Sequence, residues 1–496
     1  MRRFQTAFAL LASSVLYLSS CGRVDNPEAI QPGDHTDESE LYGVPIDFSN
    51  VGYHQGERQI PTYPVEIVLT APEDGSDATA LIQDAIDRVP PKGAVLLKEG
   101  LYKVDTRINI NRHDIVLRGE GEGTVIKAMG KRTRTLITLG HATEFTLSGS
   151  VKVTDDFIPA GQKWVRVANP GAFKKGDRVA LQFSPNALWI SDLKMDQIPQ
   201  NEAGTIQQWT PEGYVQRWER TVVGIEEDKV FFDAPLVMEL HSKYSVDISL
   251  SQIRWERIEE CGVENMMLVS DYDPALTDDE EHSWNAIEVR CAENCWIRNI
   301  KSAHFSSSLV RLYTGARQIT VKDCICTAPV SQIIGGRRYA FFNVTGELCL
   351  FENCIADHDR HGLVTGARTP GPNVYLNCAM TNAHSDMGPH QRWATGVLFD
   401  NCQTNLRIEV RDRSASGSGH GWTGVSVVYW NCEAGRTIVC QSPWVNGKNW
   451  CIGCIGTRRF STASPPRPEG EWYSEGQHVE PTSLYLHQLE KRLSNL

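Results

Sequence analysis

Short apolar runs recur along the second half of the chain, and each ends at a similar polar motif. The runs hold a few β-branched, aromatic or leucine residues, and six of seven are closed by an Asn-Cys or Asp-Cys pair. The cysteines of this motif are Cys295, Cys324, Cys354, Cys378, Cys402, Cys432 and Cys454. They are spaced 22 to 30 residues apart. A period of this length indicates a solenoid, in which each repeat buries its apolar face against its neighbours.

The runs are typical of short strands, as residues 318–321 and 425–429 illustrate. No amphipathic helical pattern lies between them, which argues against helical solenoids and favours a parallel β-helix. The recurring asparagine suits a tight turn because it tolerates unusual backbone angles. Its side-chain amide is also expected to bond the asparagine one rung away.

A short helix is predicted upstream of the repeat, with Asp77 as its N-terminal cap. Its apolar positions share one face, and they are Ala78, Leu81, Ile82, Ala85 and Ile86. With the strand-like residues 93–102 that follow, this helix resembles the N-terminal cap of the pectate-lyase-like right-handed β-helix superfamily. The helix and the repeat together cover about residues 60–150 and 250–456. The resemblance implies an all-β, right-handed parallel β-helix, but the superfamily holds lyases, hydrolases, epimerases and phage tailspikes, so it does not select an activity.

The periodic motif is interrupted between residues 151 and 245, where a β-rich insertion is predicted. Near the C-terminus, Leu486, Leu489 and Leu493 follow helical spacing and predict a short helix docked on the coil. The predicted organisation is a lipoprotein signal peptide at 1–20, a tether at 21–42, the cap and first rungs at 43–150, the insertion at 151–245, the main β-helix at 246–460 and a tail at 461–496.

The first residues resemble a bacterial lipoprotein signal. Met1-Arg2-Arg3 is basic, Ala7 to Leu18 is apolar, and Leu18-Ser19-Ser20 precedes Cys21. We therefore expect export to the periplasm or cell surface, with lipidation at Cys21 and no other membrane attachment. The alternative is ordinary secretion with a chance cysteine. No later segment of the sequence is apolar for long enough to span a bilayer.

The charge and the cysteines narrow the class of protein further. The formal net charge of −12 argues against nucleic acid as a partner. It leaves an acidic polysaccharide open, because a local arginine cluster dominates within a Debye length. Of the fourteen cysteines, the seven at one phase of the repeat are expected to stack as buried thiols rather than form disulfides. Metal binding is less favoured, because Cys291/Cys295, Cys324/Cys326 and Cys451/Cys454 lack a matching second pair with the spacing of a zinc site.

The repeat also predicts which polar side chains meet. Residues five to nine positions after each motif cysteine enter the turn that, in the resembling superfamily, lines the substrate groove. Because neighbouring rungs lie about 4.8 Å apart, His361, His384 and Glu409 are predicted to form one column. The candidate catalytic residues are Arg360, His361, His384, Asp386, His390 and Arg392. The candidate substrate-binding residues are His304, Gln332, Arg337, Tyr339, His358, Trp393, Glu409, Arg411 and Trp422.

Two reactions fit such a groove. In β-elimination from a uronate, Arg360 and Arg392 would hold the carboxylate, because a guanidinium grips it bidentately and stays charged. His361, His384 or His390 would remove the proton, with Tyr339 as the candidate acid. Hydrolysis needs two carboxylates about 5 to 9 Å apart. The candidates for that pair are Asp357, Asp359, Asp386, Glu409 and Asp412.

The histidine-rich and arginine-rich segments favour elimination. Gly419-His420-Gly421 resembles one motif of the polygalacturonase family, but the paired aspartates expected upstream of it are missing. A non-catalytic carbohydrate-binding β-helix is a third hypothesis, in which Trp393 and Trp422 would stack on sugars. Their alternative role is in the core.

The sequence therefore predicts an exported enzyme that cleaves an acidic, uronate-containing polysaccharide, most directly by β-elimination. No cofactor is required for that chemistry. If a calcium ion is bound, its candidate ligands are Asp357, Asp359 and Asp386. The sequence does not predict the oligomeric state.

Overall fold

The computed structural model describes residues 41–131 and 134–495. The signal peptide, Cys21 and nearly all of the tether lie outside the described residues, so those interpretations stay predictions. Within the described ranges, none of the helices combines the length and the apolar character needed to cross a bilayer.

Three α-helices and 37 strands make up the described chain. The helices are α1 Thr79–Arg88, α2 Ala187–Asp192 and α3 Leu484–Ser494. The strands that open the coil are β1 Val65–Leu69, β2 Gly93–Leu97, β3 Gly100–Val104, β4 Ile108–Ile110, β5 Ile115–Ala128 and β6 Thr135–Leu139. The strands of the insertion are β7 Thr146–Lys152, β8 Phe157–Ile158, β9 Trp164–Arg166, β10 Arg178–Pro185, β11 Gln216–Glu226, β12 Lys229–Phe232, β13 Leu240–His241 and β14 Ser245–Arg254.

The main coil contains the remaining strands. They are β15 Ile258–Glu259, β16 Gly262–Ser270, β17 Asn285–Val289, β18 Ala292–Glu293, β19 Trp296–His304, β20 Ser308–Leu312, β21 Thr320–Lys322, β22 Ile325–Pro329, β23 Phe341–Asn343, β24 Leu350–Glu352, β25 Ile355–Asp357, β26 Leu363–Thr365, β27 Asn373–Leu376, β28 Ala379–Thr381, β29 Asp386–Pro389, β30 Ala394–Asp400, β31 Gln403–Thr404, β32 Arg407–Val410, β33 Gly424–Trp430, β34 Glu433–Cys440, β35 Trp450–Ile452, β36 Ile455–Arg458 and β37 Glu471–Tyr473.

The coil strands pair in parallel and form three sheets. The first sheet runs through β21, β24, β27, β30, β33 and β35, and the second through β22, β25, β28, β31 and β34. The third sheet runs through β4, β6, β17, β20, β23, β26, β29 and β32. The predicted all-β, right-handed parallel β-helix with a capping helix and a β-rich insertion is confirmed.

The corner between the first and second sheets is the same on every rung. The residue before the motif cysteine has a left-handed backbone, with φ of 54° at Asn353, 51° at Asn377 and 53° at Asn401. Its backbone N–H donates to a carbonyl on the next rung, as from Asn377 to Asp400 at 2.9 Å. Asparagine occupies the corner because it tolerates this conformation better than other residues that carry a Cβ. The expected bond between corner side chains occurs from Asn353 to Asp323, at 2.9 Å.

The predicted thiol ladder is confirmed. All thirteen cysteines of the described residues are free and buried. The thiols of the motif donate to the carbonyl oxygen two residues earlier, for example from Cys354 to Glu352 and from Cys378 to Leu376. Beside them, the rings of Phe351, Tyr375, Phe399 and Tyr429 stack at centroid distances of 4.6, 5.0 and 5.2 Å. The cysteines therefore act as small apolar side chains with a weak donor.

The insertion leaves the coil after β6 and returns one rung further on, because β16 pairs with β5 and β17 pairs with β6. Its main sheet has the order β7-β14-β10-β11-β12-β9, and every pairing in it is antiparallel. The sheet packs against the outer face of the first coil sheet through a shared apolar core. These strands span Thr146–Arg254, slightly more than the predicted 151–245.

Buried ion pairs join one edge of the insertion to the coil. Arg257 bonds Glu219 of β11 at 2.6 Å and Glu293 of the coil at 3.2 Å. Arg178 and Arg317 bond Glu293 at 2.8 and 2.7 Å. Burial opposes the charge on Glu293, but Arg317, Arg178 and Arg257 lower its pKa to about 2. Each carboxylate is thus charged and paired, the condition under which burial of an ion pair is tolerated.

Both predicted terminal helices are present, and the C-terminal one docks through one of its three predicted leucines. Helix α1 buries Ile82, Ala85 and Ile86, while Leu81 is exposed. In helix α3, Leu489 is partly buried and packs against the core, but Leu486 and Leu493 are exposed. The helix also buries Leu484, Tyr485 and Gln488. Gln488 donates to Ile46 and accepts from Phe48, because the helix covers the N-terminal segment as well as the coil.

We expect Asn377→Ala to lower the free energy of unfolding by about 1 kcal/mol, because alanine is strained at φ of 51°. Asn377→Gly should lose much less, since glycine adopts positive φ readily. The measurement is the denaturant midpoint of both variants. Asn377 is exposed, so burial does not complicate the comparison. Equal midpoints for alanine and glycine would show that the corner does not need this conformation.

Candidate active site

Polar side chains gather where the third sheet meets its flanking turns. Tyr339 and His361 lie two residues before β23 and β26, so the register of those strands places them on adjacent rungs. Asp386 begins β29 and His390 follows it. Arg413 and His420 come from the longer segment between β32 and β33. We call this group the histidine cluster, and its members are Tyr339, His361, Asp386, His390, Arg413 and His420.

A chain of hydrogen bonds fixes the proton positions on His390 and Tyr339. Arg413 Nη1 donates to His390 Nδ1 at 3.0 Å, so this nitrogen is an acceptor. The neutral ring then carries its hydrogen on Nε2, which lies 3.2 Å from the Tyr339 hydroxyl. That hydroxyl donates to the Gly335 carbonyl at 3.2 Å. The phenol oxygen thus receives one N–H from His390 and a second, at 3.4 Å, from Arg360 Nη1.

The side chains of His390 and Tyr339 are both neutral. Burial lowers the pKa of His390 far below its ordinary range, and the neighbouring His361 and Arg413 lower it further. Burial also raises the pKa of Tyr339, although Arg360 opposes that shift. A neutral imidazole donor beside a neutral phenol can support a proton transfer that leaves the phenol briefly charged.

Asp386 is the charged centre of the inner part of the cluster. Its side chain lies 3.5 Å from His361 Nδ1 and 4.0 Å from Arg413 Nη1. Burial by itself would raise the pKa of this carboxyl, but His361 and Arg413 hold it well below its usual value. His361 Nδ1 also lies 3.1 Å from the Asp386 carbonyl, and its Nε2 is buried without a partner. Asp386 is therefore ionised, and it orients His361.

His420 lies at the outer side of the cluster among arginines. Its ring is 5.0 Å from that of His390 and is half-buried. Burial lowers its pKa to about 4, and Arg413, Arg392 and Arg360 contribute to that shift. Three arginines therefore lie near this ring, and their charges favour an anion at this place.

The next rung adds a second set of paired charges. Glu409 is buried, accepts a hydrogen bond from Arg411 Nε at 2.8 Å and lies 3.5 Å from Arg407. Arg407 also approaches Asp386, at 3.9 Å. Glu409 and Arg411 were both predicted to bind substrate. In the structure they lie beside the cluster and form an ion pair with each other.

The predicted column of His361, His384 and Glu409 is wrong. His384 is exposed and its ring neighbours that of His358, with centroids 6.3 Å apart. These two histidines lie near Asp357, which accepts from His358 Nδ1 at 2.8 Å. The prediction failed for two reasons of register. His384 stands one residue earlier in its rung than His361 does, and the pairing of Val364 with Gly388 does not make up that difference. Strand β32 pairs with β29 so that Asp386 is opposite Arg407, which puts Glu409 beside Gly388 rather than beside either histidine.

Other predicted residues lie along the same side of the coil. Arg337 forms a bidentate pair with Glu280 at 2.7 Å, and the exposed Gln332 donates its backbone N–H to that carboxylate. His304 is half-buried against Tyr272 at a centroid distance of 4.7 Å. Their partners, Glu280 and Tyr272, lie outside the histidine cluster, and these residues extend the polar surface towards the N-terminal rungs.

Trp393 and Trp422 do not form a sugar-stacking surface. Both are fully buried in the core between the coil and the insertion. Trp393 packs edge-on against Trp189 and donates to the sulfur of Met238 at 3.1 Å. Trp422 donates to the Leu193 carbonyl. The interpretation as sugar platforms is therefore wrong, because a ring without exposed surface cannot stack on a ligand.

Arg392 also has a fixed position. It donates to the Ser418 hydroxyl at 2.8 Å and to Gln391 at 2.8 Å, and it is half-buried. The candidate site residues predicted from the sequence did not include Arg407, Arg413 or His420. The sequence does carry a signal for the last two, because the segment between β32 and β33 is long and holds Arg411, Arg413 and His420.

The described residues give no support for a metal centre. Within them, no group of three or more His, Cys, Asp or Glu side chains is arranged to hold a metal ion. Asp357 accepts from Thr381, Asn382 and His358, and Asp386 faces arginine and histidine. Asp359 is buried and its pKa is raised by burial. A carboxylate that is neutral or faces N–H and O–H donors does not fit a calcium ligand.

Comparisons with known proteins give likeness in the fold alone. No protein-family model matches the chain, and no curated protein matches it. The pectate lyase Pel9A is 8% identical with a TM-score of 0.43, over 88% of this chain and 84% of that chain. The polygalacturonase of Erwinia carotovora ssp. carotovora is 8% identical with a TM-score of 0.42, over 85% and 98%. The tailspike gp49 of Pseudomonas phage LKA1 is 13% identical with a TM-score of 0.37, over 81% and 70%. The parallel β-helix that the resemblance implied is the fold that the structure has.

We expect Arg413→Gln to raise the pKa of His420 from about 4 by on the order of one unit, because a nearby cation that opposes protonation is removed. Burial remains, so the pKa should stay below the ordinary value. The measurement is an NMR titration of ring-labelled histidines. His241 in the insertion, whose pKa is lowered by burial and Lys243, serves as the internal control. An unchanged His420 titration would mean that Arg413 does not set its charge.

Proposed function

We propose that this protein is an enzyme that cleaves a uronate-containing polysaccharide by β-elimination. The observation that carries the proposal is the convergence of Arg360, Arg392 and Arg413 on a neutral His420, next to the bonded Tyr339–His390 pair. The arginines offer a positive site for a carboxylate. The neutral side chains offer groups that give and take protons. β-elimination from a uronate needs both.

The substrate carboxylate is assigned to Arg360 and Arg392. Both guanidinium groups are half-exposed, so they reach solvent and keep donors towards a ligand. A carboxylate held there withdraws electrons from the adjacent carbon and makes its proton easier to remove. The charge that develops in the transition state then lies against fixed cations, which stabilise it more strongly than water does.

The proton transfers are assigned to His420 and Tyr339, which lie on either side of His390. His420 removes the proton from the carbon next to the carboxylate, and that electron pair forms the carbon–carbon double bond. The bond to the glycosidic oxygen breaks, and Tyr339 gives its proton to that oxygen. The phenolate left on Tyr339 is stabilised by the N–H groups of His390 and Arg360. His390 and His361 act as positioning residues.

The hydrolase alternative is weaker because of the state and burial of its carboxylates. Hydrolysis needs one carboxylic acid that is protonated at working pH and reaches the substrate. Asp386 has a pKa well below its usual value, and Glu409 is paired with Arg411 and Arg407. Burial raises the pKa of Asp359, but its side chain is fully buried and does not reach a sugar. The non-catalytic alternative loses its two predicted sugar platforms, since Trp393 and Trp422 are buried.

The test is to incubate the mature protein with uronate-containing polysaccharides and follow both ultraviolet absorbance and new reducing ends. Tyr339→Phe and His420→Ala should each lower kcat by about 100-fold or more, which is the usual contribution of a general acid or base. Activity should fall as the pH drops through about 4, the pKa of His420, because the base must be unprotonated. Tyr473→Phe, at an exposed tyrosine of β37, is the matched control.

Each result has a distinct meaning. Reducing ends without absorbance would replace elimination by hydrolysis. No product on any polymer, with binding retained, would favour a carbohydrate-binding protein. Elimination that survives in Tyr339→Phe and His420→Ala would keep the activity and overturn the assignment of these residues.

Export with a lipid anchor at Cys21 is part of the same proposal, supported by the basic, apolar and Leu-Ser-Ser-Cys order of the first residues. In a bacterial host, the full chain should sediment with membranes and release into detergent. Cys21→Ser should lose that attachment, because the lipidated thiol is gone, while Ser19→Ala should keep it. Mass spectrometry of the mature N-terminus decides the point, and an unmodified Cys21 would contradict the anchor.

A further inference from the structure

A row of arginines and aromatic rings follows the third sheet away from the histidine cluster. Arg290 lies over the ring of Tyr313 at 3.8 Å, Arg311 over Phe342 at 5.3 Å, and Arg337 over Trp284 at 5.2 Å. All six side chains are half-exposed. Stacking holds each guanidinium flat and leaves edge N–H groups for a ligand.

The register of the third sheet aligns these pairs. Glu288 of β17 pairs with Arg311 of β20, Arg311 pairs with Phe342 of β23, and Phe342 pairs with Val364 of β26. Tyr339, two residues before β23, stands at the end of this row, and its ring is edge-on to that of Phe342 at 5.1 Å. The row therefore leads to the proposed proton donor.

At its other end the row opens into a groove of about 470 Å³. Its walls carry further cations and amides, which are Arg107, Arg134, Asn109, Asn111 and His141. Trp284 lines this groove and also carries Arg337 on its ring. The groove and the row are thus one surface. From β4 to β26 it crosses five rung steps, or about 24 Å at the usual strand spacing.

The charges on this surface are mostly positive. Arg290 pairs with Glu288 and Arg337 with Glu280, and the charge of Arg134 helps to lower the pKa of Asp77. Arg311 bonds the neutral hydroxyls of Ser307, Ser308 and Tyr313. Arg107 is exposed, and Arg134 donates to backbone carbonyls of the first rungs. The chain as a whole is acidic, with a net charge of −12, so this local cationic surface stands out against it.

We propose that this surface, which we call the arginine track, binds the part of an acidic polysaccharide that does not react. The inference rests on the proposed function and extends it. Flat arginines suit carboxylates, half-exposed rings suit sugar faces, and the length accommodates several sugar residues. Only a long polysaccharide both fills the track and extends past Tyr339. We therefore expect cleavage within the polymer and a preference for long substrates.

The experiment measures binding without turnover and then turnover as a function of chain length. Titration calorimetry uses galacturonate and mannuronate oligosaccharides, as a trisaccharide and an octasaccharide of each. A neutral xylan-derived octasaccharide is the control ligand. Arg107→Gln changes an exposed residue at the far end of the track, and Arg290→Gln is the second variant. Arg459→Gln, at an exposed arginine near the last rungs, is the matched control protein.

We expect the acidic octasaccharide to bind more tightly than the trisaccharide, and the neutral octasaccharide to bind weakly. Arg107→Gln should weaken octasaccharide binding by about tenfold, which is about 1.4 kcal/mol, and should affect the trisaccharide less. Arg459→Gln should match the parent protein. With a polymer substrate, early products should be long oligosaccharides.

The proposal is overturned if both track variants bind the acidic octasaccharide as the parent protein does. It is also overturned if trisaccharide and octasaccharide bind equally well. These results are separable from the proposed activity. Binding that depends on the track, without an unsaturated product, would contradict the lyase activity and support the arginine track. Elimination that does not depend on chain length would support the lyase activity and contradict the track.

Discussion

The left-handed corner after the first sheet is the constraint on which the coil depends. At this corner one residue per rung takes φ near 50°, and its N–H bonds a carbonyl of the next rung. The conformation turns the chain sharply enough for the cysteine that follows to point inward, where its thiol bonds the carbonyl two residues back. Because this geometry repeats, each rung is held in register with the next. The stacked rings of Phe351, Tyr375 and Phe399 are a consequence of that register.

Because the corner has the same geometry on each rung, the number of residues per rung can vary on the opposite side of the coil. The step from Cys354 to Cys378 is shorter than the step from Cys402 to Cys432. The additional residues lie between β32 and β33, and they bring Arg413 and His420 to the histidine cluster. The histidine cluster therefore lies where rung length differs, and the structural repeat continues beneath it unchanged. Functional groups commonly sit on loops that a rigid scaffold positions.

Electrostatic balance within the cluster also follows from this placement. Asp386 is buried and stays ionised because His361 and Arg413 are close to it. The same arginine helps to keep His390 and His420 neutral. The carboxylate of Asp386 thus compensates the charge of Arg413, which lies next to the neutral rings of His390 and His420. The outer arginines, Arg360 and Arg392, remain available to a ligand. The same use of paired charge, at a buried position, fastens the insertion to the coil through Glu219 and Glu293.

The β-helix, the left-handed asparagine corner, the buried thiols and the segment that holds the histidines and arginines all follow from the sequence alone. Each of these is local or strictly periodic, and backbone preference and side-chain period express such features directly. The contacts within the histidine cluster depend on the fold: His361 meets Asp386 and His390 rather than His384, and Arg413 and His420 join them from a long segment of another rung. Trp393 and Trp422 are in the core because the insertion that covers them is distant in sequence. A count of residues shows neither which residue of one strand pairs with its neighbour nor how far a turn reaches in space, and these contacts depend on both.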